Sequence, residues 1–225
     1  MEQNSWRRVF RDSMPVMAGY LVLGMGFGIL MYSRGFGFGW SVGMSLFIYA
    51  GSMQYVGVDL LSTGAGLLTA ALTTLLVNAR HLFYGISMLD RYRNAGKEKP
   101  YLIFALTDET YSLVVSGEGK DLKYCLRLSL LDQCYWVTGT ALGALAGAVI
   151  PFDTTGIDFS LTALFITVFT EQWLSRKDHR PALTGLGASA ACLILFGPER
   201  FLLPAMASIV ALLLLFGGKE AGENA

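Results

Sequence analysis

Residues 14–32 read MPVMAGYLVLGMGFGILMY, a run of 19 residues without a charged side chain. The shortage of charge continues beyond this run, because only Arg34 and Asp59 are charged between residues 13 and 79. About 20 consecutive apolar residues are enough for a helix to span the hydrocarbon core of a bilayer. Stretches this long cannot be covered by a polar surface, so the sequence predicts a protein whose main solvent is lipid.

The composition also indicates a membrane protein. Of the 225 residues, 53% are hydrophobic and 15% are charged, against about 25% charged in a typical soluble domain. The formal net charge is zero, so nothing favours nucleic acid as a partner. We predict an all-α, polytopic integral membrane bundle in the lipid bilayer, one membrane domain over residues 1–225 with about seven transmembrane segments. The candidate spans are 14–32, 41–61, 66–89, 101–116, 128–150, 159–174, 182–197 and 199–217.

Two of the candidate segments are interrupted. Asp108 and Glu109 lie near the middle of 101–116, and Gly197-Pro198-Glu199-Arg200 divides the region 182–217. Irregular backbone is tolerated at membrane depth only where it is buried in protein or lines a wet cavity. These interruptions therefore predict broken helices or re-entrant hairpins.

Basic residues set the orientation. Three arginines before residue 14 and three basic residues in 175–181 place both regions in the cytoplasm. The basic loop 91–99 lies outside if every earlier segment crosses once. The charge pattern therefore predicts that one segment between 66 and 116 does not cross straight through.

The chain also resembles itself at a shift of 118 residues, which places Phe47, Ile48 and Gln54 on Phe165, Ile166 and Gln172. We interpret this as an internal repeat with halves 12–116 and 128–217. Internal repeats are common in secondary transporters. The alternative is a chance coincidence of two apolar sequences.

Glycines repeat at four-residue spacing in two segments, at Gly24 and Gly28 and at Gly139, Gly143 and Gly147. On a helix such residues form a ridge that allows the backbones of neighbouring helices to approach closely. We predict that they are packing faces without a role in transport.

The first polar interruption is Tyr49-Ala50-Gly51-Ser52-Met53-Gln54. An amide such as that of Gln54 costs roughly 2–7 kcal/mol when it is buried unpaired, so a neighbouring helix or a substrate must satisfy it. Gly51 beside Ser52 allows the helix to unwind and offer backbone groups to a ligand. We place Tyr49, Gly51, Ser52 and Gln54 among the candidate substrate-binding residues; the alternative is a purely interhelical role.

The second interruption is Asn78-Ala79-Arg80-His81-Leu82-Phe83-Tyr84-Gly85. Charged residues at membrane depth are costly and usually face a bundle interior or a pathway. Arg80 is suited to pair with an acid of this chain or with a substrate carboxylate, and His81 is suited to relay protons. Asn78 and Tyr84 complete this candidate set. The alternative is a helix end at which Arg80 extends to the interface.

The third interruption, Leu106-Thr107-Asp108-Glu109-Thr110-Tyr111, supplies the acids. Adjacent residues on a helix point about 100° apart, so Asp108 and Glu109 cannot both face one partner. In one possible division, one acid pairs with Arg80, while the other binds a substrate ammonium group or exchanges a proton. The alternative is an interfacial loop with two solvated acids.

Motifs of enzymes are absent from the sequence, which has no G-x-S-x-G, H-E-x-x-H, P-loop or C-x-x-C. The three cysteines have no metal-ligand spacing. We predict neither an enzyme nor a cofactor or metal site. Without an ATP-binding motif, transport would draw on an ion gradient or on the gradient of the substrate.

The three polar motifs, in this order, resemble the AzlC family of branched-chain amino acid permeases (the YgaZ type). The resemblance rests on Tyr49–Gln54, on Asn78–Gly85 and on Leu106–Glu109, and is supported by Asp12-Ser13-Met14-Pro15 before the glycine-rich run 24–28. It covers essentially the whole chain, although no motif after Thr170 contributes.

That resemblance implies export of branched-chain amino acids, sometimes methionine, across the bacterial cytoplasmic (inner) membrane by a multi-pass protein. It also implies a partner, a small membrane protein of the AzlD type. With the polar motifs, it leads to the hypothesis of a proton-coupled efflux carrier; the alternative is a non-transporting membrane subunit of a transport complex.

Overall fold

The computed structural model describes residues 6–115, 121–149 and 178–197, with shorter pieces between 159 and 174 and between 201 and 213. These residues are helical or in turns, as the predicted all-α class requires. The chain forms two compact units, Met1–Ala70 with Val77–Thr162, and Ala71–Leu76 with Ala163–Ala225. The single membrane domain, the repeat halves and the count of seven spans stay predictions, and most of 150–177 and 198–225 lies outside the described residues.

The described part of the chain contains nine α-helices with defined first and last residues. They are α1 Trp6–Ser33, α2 Phe38–Phe47, α3 Gly51–Ser62, α4 Leu67–Val77, α5 Ala79–Ser87, α6 Lys99–Phe104, α7 Asp108–Val115, α8 Leu122–Val149 and α9 Arg180–Phe196. A 3-10 turn, Gly96–Glu98, precedes α6. Among the described helices, α1 is the one that is both long and apolar enough to cross a bilayer, whereas α2, α4 and α9 are shorter apolar helices.

The first compact unit is organised around α1 and α8, which have 28 residues each. Near their first turns the Tyr124 hydroxyl donates to Asp12 at 3.0 Å, and near their last turns Gly147 packs against the ring of Tyr32. The two helices therefore run in the same direction. The glycine ridges form their interface, as predicted, since a Cβ at Gly143 would lie 2.1 Å from the carbonyl oxygen of Met25.

Helices α2 and α3 form a hairpin, so the candidate span 41–61 is interrupted as predicted, but the chain turns back at the interruption instead of continuing in one direction. The Gln54 amide donates to Ser45 at 3.1 Å, and Met44 packs against Gly57, which shows that the two helices are antiparallel. Asp59, in the last turn of α3, lies 3.8 Å from Arg34, so α3 ends near the point where α1 ends. Ten and twelve residues reach roughly 15 and 18 Å, too little to cross about 30 Å of hydrocarbon.

The turn of this hairpin contains a strained residue. Tyr49 has a φ of +38°, in the left-handed region that a residue with a Cβ rarely adopts. The structure unwinds the chain at Ile48–Ala50, and α3 begins at Gly51. The predicted break is confirmed, but its unusual backbone is at Tyr49. At Gly51 the constraint is space, because an added Cβ would lie 3.0 Å from the ring of Trp136.

Helices α6 and α7 form a second hairpin, which enters from the end where α1 and α8 begin. The last turn of α7 lies beside the basic loop that precedes α6, because the Arg91 guanidinium donates to the carbonyl oxygen of Val114. With six and eight residues, the two helices are also too short to cross. The predicted break in 101–116 is thus confirmed at residues 105–107, and a re-entrant course in the membrane stays a prediction. Residues 198–200, at the other predicted interruption, lie outside the described residues.

Helices α4 and α5 follow the first hairpin in the chain. They have 11 and 9 residues and are separated by a break at Asn78. After α5 the chain enters a buried apolar cluster, the basic-end cluster, which also contains the first turns of α1 and α8. Its members are Val9, Met88, Tyr92, Ala95, Leu102, Leu106, Val114, Tyr124, Cys125 and Leu128.

The basic-end cluster resolves the conflict in the charge pattern. It places the loop 91–99 at the end where α1 and α8 begin, together with Arg7, Arg8 and Arg11. Basic loops favour the cytoplasmic side, so one side accounts for all of them. The α2–α3 hairpin precedes this loop, so the chain reaches the basic end because 41–61 turns back, and a segment between 66 and 116 that does not cross stays a prediction.

Candidate functional site

Three breaks in helices meet in the first compact unit, and Arg80 connects them. Its Nη1 lies 3.0 Å from Oδ2 of Asp108, and its Nη2 donates to Oγ of Ser52 at 2.6 Å. Arg80 lies in the first turn of α5, Ser52 in the first turn of α3 and Asp108 at the start of α7. The structure therefore brings together residues from all three predicted polar motifs.

The local electrostatics at this junction favour an anion. The first N–H groups of a helix have no partner within the helix, and the helix dipole places a partial positive charge there. Helices α3 and α7 both direct this end to Arg80. Asp108 neutralises part of the positive charge, and both side chains of the ion pair remain about 30% exposed. A carboxylate from a ligand is chemically suited to the same position.

Several buried polar atoms at the junction have no hydrogen-bond partner among the described residues. They are Oη of Tyr49, Oδ1 of Asn78, Nε of Arg80 and Oδ1 of Asp108. Buried polar atoms are usually paired, so unpaired ones need an explanation. This set contains an N–H donor, a hydroxyl and two acceptors, which suits a ligand that carries both an anionic and a cationic group.

Glu109 points away from Arg80, towards α1. Its Oε2 lies 2.7 Å from the hydroxyl of Tyr20, whereas Asp108 faces Arg80. The predicted pairing of one acid with Arg80 is therefore present, and that acid is Asp108. The role of the other acid, Glu109, stays a prediction.

Gln54 is fully buried, and the protein itself satisfies its amide. Its oxygen accepts from Nε1 of Trp136 at 2.8 Å, and its nitrogen donates to Oγ of Ser45 at 3.1 Å. Ser45 is in turn 2.8 Å from Oγ1 of Thr140. These contacts support the interhelical role that the sequence left open, rather than substrate binding.

His81 and Tyr84 lie beside the junction. The ring of His81 contacts Tyr84 edge-on at 5.9 Å, and Tyr84 stacks on Tyr111 of α7 at 4.4 Å. These aromatic contacts join α5 to α7. They position the helix that carries Arg80 relative to the helix that carries Asp108.

Sequence reasoning missed a buried acid, Asp132 of α8, which has no exposed surface. Thr110 of α7 donates to its Oδ2 at 2.8 Å. The available signal was an acid within the candidate span 128–150, where charge is costly. Tyr20, Thr107 and Thr110 carried no comparable signal, because isolated hydroxyl side chains are common in membrane helices.

Comparisons with known proteins agree on one family. The family described as AzlC protein matches residues 15–150, the range that contains every residue of the junction. The chain is 46% identical over 214 residues to a protein of Bacillus subtilis named "Branched-chain amino acid transport protein AzlC", with 93% of this chain and 84% of that protein covered.

Other relatives are named as membrane proteins. An uncharacterized membrane protein of Helicobacter pylori is 42% identical, with 93% of this chain and 95% of the relative covered. The inner membrane protein YgaZ of Escherichia coli is 30% identical, with 83% and 80% covered. No solved structure matches the chain. The matched range and the similarity over nearly the whole length show that this chain is a membrane protein that belongs to the AzlC family.

Proposed function

We propose that this chain exports branched-chain amino acids (leucine, isoleucine and valine, with methionine as a further substrate) across the bacterial cytoplasmic membrane. The observation that carries the proposal is Arg80, held between the first turns of α3 and α7 where three helix breaks meet. The Bacillus subtilis relative named for branched-chain amino acid transport supports the substrate class.

The Arg80–Asp108 ion pair has the charge pattern that a zwitterionic amino acid complements. The substrate carboxylate binds Arg80 and the first N–H groups of α3, and its ammonium group binds Asp108. Since the pair is only partly buried, each charge can exchange its protein partner for a substrate group without being left alone in a dry interior. The unpaired atoms of Tyr49 and Asn78 supply further hydrogen bonds.

Apolar contacts hold the substrate side chain. Phe104 packs near Tyr49 with ring centroids 6.1 Å apart, and both Phe104 and Ile48 have exposed surface beside the two hairpin turns. A methylene group in an apolar pocket contributes about 1–3 kcal/mol to discrimination. Such contacts select for apolar side chains as a class more strongly than for one branched isomer over another.

Transport is coupled to protons and requires a small membrane partner of the AzlD type. Glu109, beside the substrate position, carries an exchangeable proton, and the sequence has no ATP-binding motif. The partner follows from the resemblance to the AzlC family. In the competing function, this chain is a non-transporting subunit, and its polar motifs bind the partner.

The test is counterflow of labelled leucine in proteoliposomes that contain the chain with its partner. Arg80→Ala removes two charge-assisted contacts worth about 1.5–3 kcal/mol each, so exchange falls by at least about a hundredfold. Arg93→Ala is the matched control, because Arg93 is an exposed arginine of the basic loop; it retains exchange. Normal exchange by Arg80→Ala contradicts the assignment, and leucine binding by the partner alone favours the subunit function.

A further inference from the structure

A continuous line of hydroxyl groups joins the two acids Glu109 and Asp132. From Oε2 of Glu109 it runs through Oη of Tyr20 at 2.7 Å, Oγ1 of Thr107 at 2.7 Å and Oγ1 of Thr110 at 3.0 Å. It ends at Oδ2 of Asp132, 2.8 Å from Thr110. Every link has a normal hydrogen-bond length. The line crosses from α7 to α1, returns to Thr107 and to Thr110 of α7, and ends on α8.

The end of the line at Asp132 is unusual for a carboxyl group. Asp132 is fully buried, and its Oδ1 has no partner among the described residues. In the described part of the chain it forms no ion pair. A buried carboxylate without a cation is costly unless it holds a proton or accepts strong hydrogen bonds. The single bond that it accepts comes from Thr110, the last hydroxyl of the line.

Counting hydrogen atoms shows that the line has two equivalent states. Each hydroxyl donates one hydrogen and accepts one. If Glu109 is protonated, it donates to Tyr20 and every later hydroxyl donates towards Asp132. If Asp132 is protonated, every bond is reversed and Tyr20 donates to Glu109. One proton on the pair satisfies all four bonds in either state.

We infer that Glu109 and Asp132 share one coupling proton through Tyr20, Thr107 and Thr110. In the transfer, the O–H bonds of Glu109, Tyr20, Thr107 and Thr110 break, and new ones form on Tyr20, Thr107, Thr110 and Asp132. The net change moves one proton from Glu109 to Asp132, without an oxidant or reductant. This inference rests on the proposed export function and identifies the groups that carry its proton.

The position of the line fits coupling to the substrate. Glu109 follows Asp108, whose carboxylate is assigned to the substrate ammonium group, so substrate charge and relay proton lie one residue apart on α7. At the other end, Oγ of Ser129, which has no hydrogen-bond partner in the part of the chain that the structure describes, lies one helical turn before Asp132 and continues the polar face of α8 towards the basic end. The titratable and charged groups that interact with the two acids are Tyr20, Tyr49, Arg80, Tyr84, Tyr101, Asp108, Tyr124 and Tyr135.

Thr110→Val tests the relay, because it preserves side-chain shape and removes one hydroxyl. In proteoliposomes of the chain with its partner, leucine transport driven by an imposed pH gradient falls by about tenfold or more, and counterflow without a gradient falls much less. Thr110→Ser restores the hydroxyl and gradient-driven transport. Thr138→Val, at an exposed threonine of α8, is the matched control and changes neither activity.

The outcomes separate the relay from the proposed function. Unchanged gradient-driven transport by Thr110→Val overturns the relay, as does equal loss of both activities with the protein still in the membrane. A wild-type protein without leucine counterflow overturns the export function instead. The relay is then decided by infrared titration of the carboxyl groups. Glu109 and Asp132 titrate together in the wild type and separately in Thr110→Val, whereas independent titration in the wild type overturns the relay.

Discussion

The close approach of α1 and α8 predicts a graded response to glycine-to-alanine substitutions. A Cβ at Gly143 would lie 2.1 Å from the carbonyl oxygen of Met25, and one at Gly28 would lie 2.2 Å from that of Thr140. At Gly24 the nearest backbone atom is 2.9 Å away. Ordinary van der Waals contact begins at 3.4 Å, so Gly143→Ala and Gly28→Ala force the two backbones apart by about 1 Å.

The expected magnitude follows from two opposing effects. Overpacking costs typically about 1–3 kcal/mol, and the upper end applies at Gly143 and Gly28 because the contacted atoms are backbone and cannot rotate away. Alanine gains about 0.5–1 kcal/mol over glycine in a helix interior. Net losses of about 2 kcal/mol are therefore expected at these two sites and about 1 kcal/mol or less at Gly24. Gly19, with nothing within 4 Å of its added Cβ, is the control and is expected to gain stability.

The assay is the free energy of unfolding in mixed detergent micelles, followed by tryptophan fluorescence. Trp136 is a suitable probe because it is buried and its backbone contacts Gly24. The expected order, from least to most stable, is Gly143→Ala with Gly28→Ala, then Gly24→Ala, then the wild type, then Gly19→Ala. Equal stability of Gly143→Ala and Gly19→Ala would refute the close parallel contact of α1 and α8.

Two further predictions concern the α2–α3 hairpin. The first uses single-cysteine variants made in a chain without the native cysteines. Because the hairpin returns to the end where α1 finishes, Ser33→Cys and Ser62→Cys react with an impermeant thiol reagent from one side of the membrane, and Lys97→Cys reacts from the other. Labelling of positions 33 and 62 from opposite sides would show that 41–61 crosses. Gln54→Leu leaves Trp136 and Ser45 without their buried partner and lowers the free energy of unfolding by about 1–3 kcal/mol. The KM for leucine of this variant stays unchanged, and a raised KM would return Gln54 to the substrate site.

Much of the candidate site could be predicted from the sequence because burying charge in lipid is costly wherever it occurs. Arg80, Asp108 and Glu109 stand out in apolar segments for this reason alone, and the structure pairs Arg80 with Asp108 while Glu109 faces Tyr20 of α1. The acid that pairs with Arg80 could not be predicted, since it depends on which face of α7 meets α5. Asp132 was missed because its importance lies in a partner 22 residues away, Thr110.

The sequence by itself determined the helical membrane class, the polar interruptions and the glycine ridges. Each of these follows from the side chains within one segment and from their transfer between water and lipid. Only the tertiary structure decided that 41–61 turns back, that α1 and α8 run in the same direction, and that three hydroxyls connect Glu109 to Asp132. The direction of the chain after a break, and the partner of a buried polar atom, depend on packing between segments that are distant in sequence.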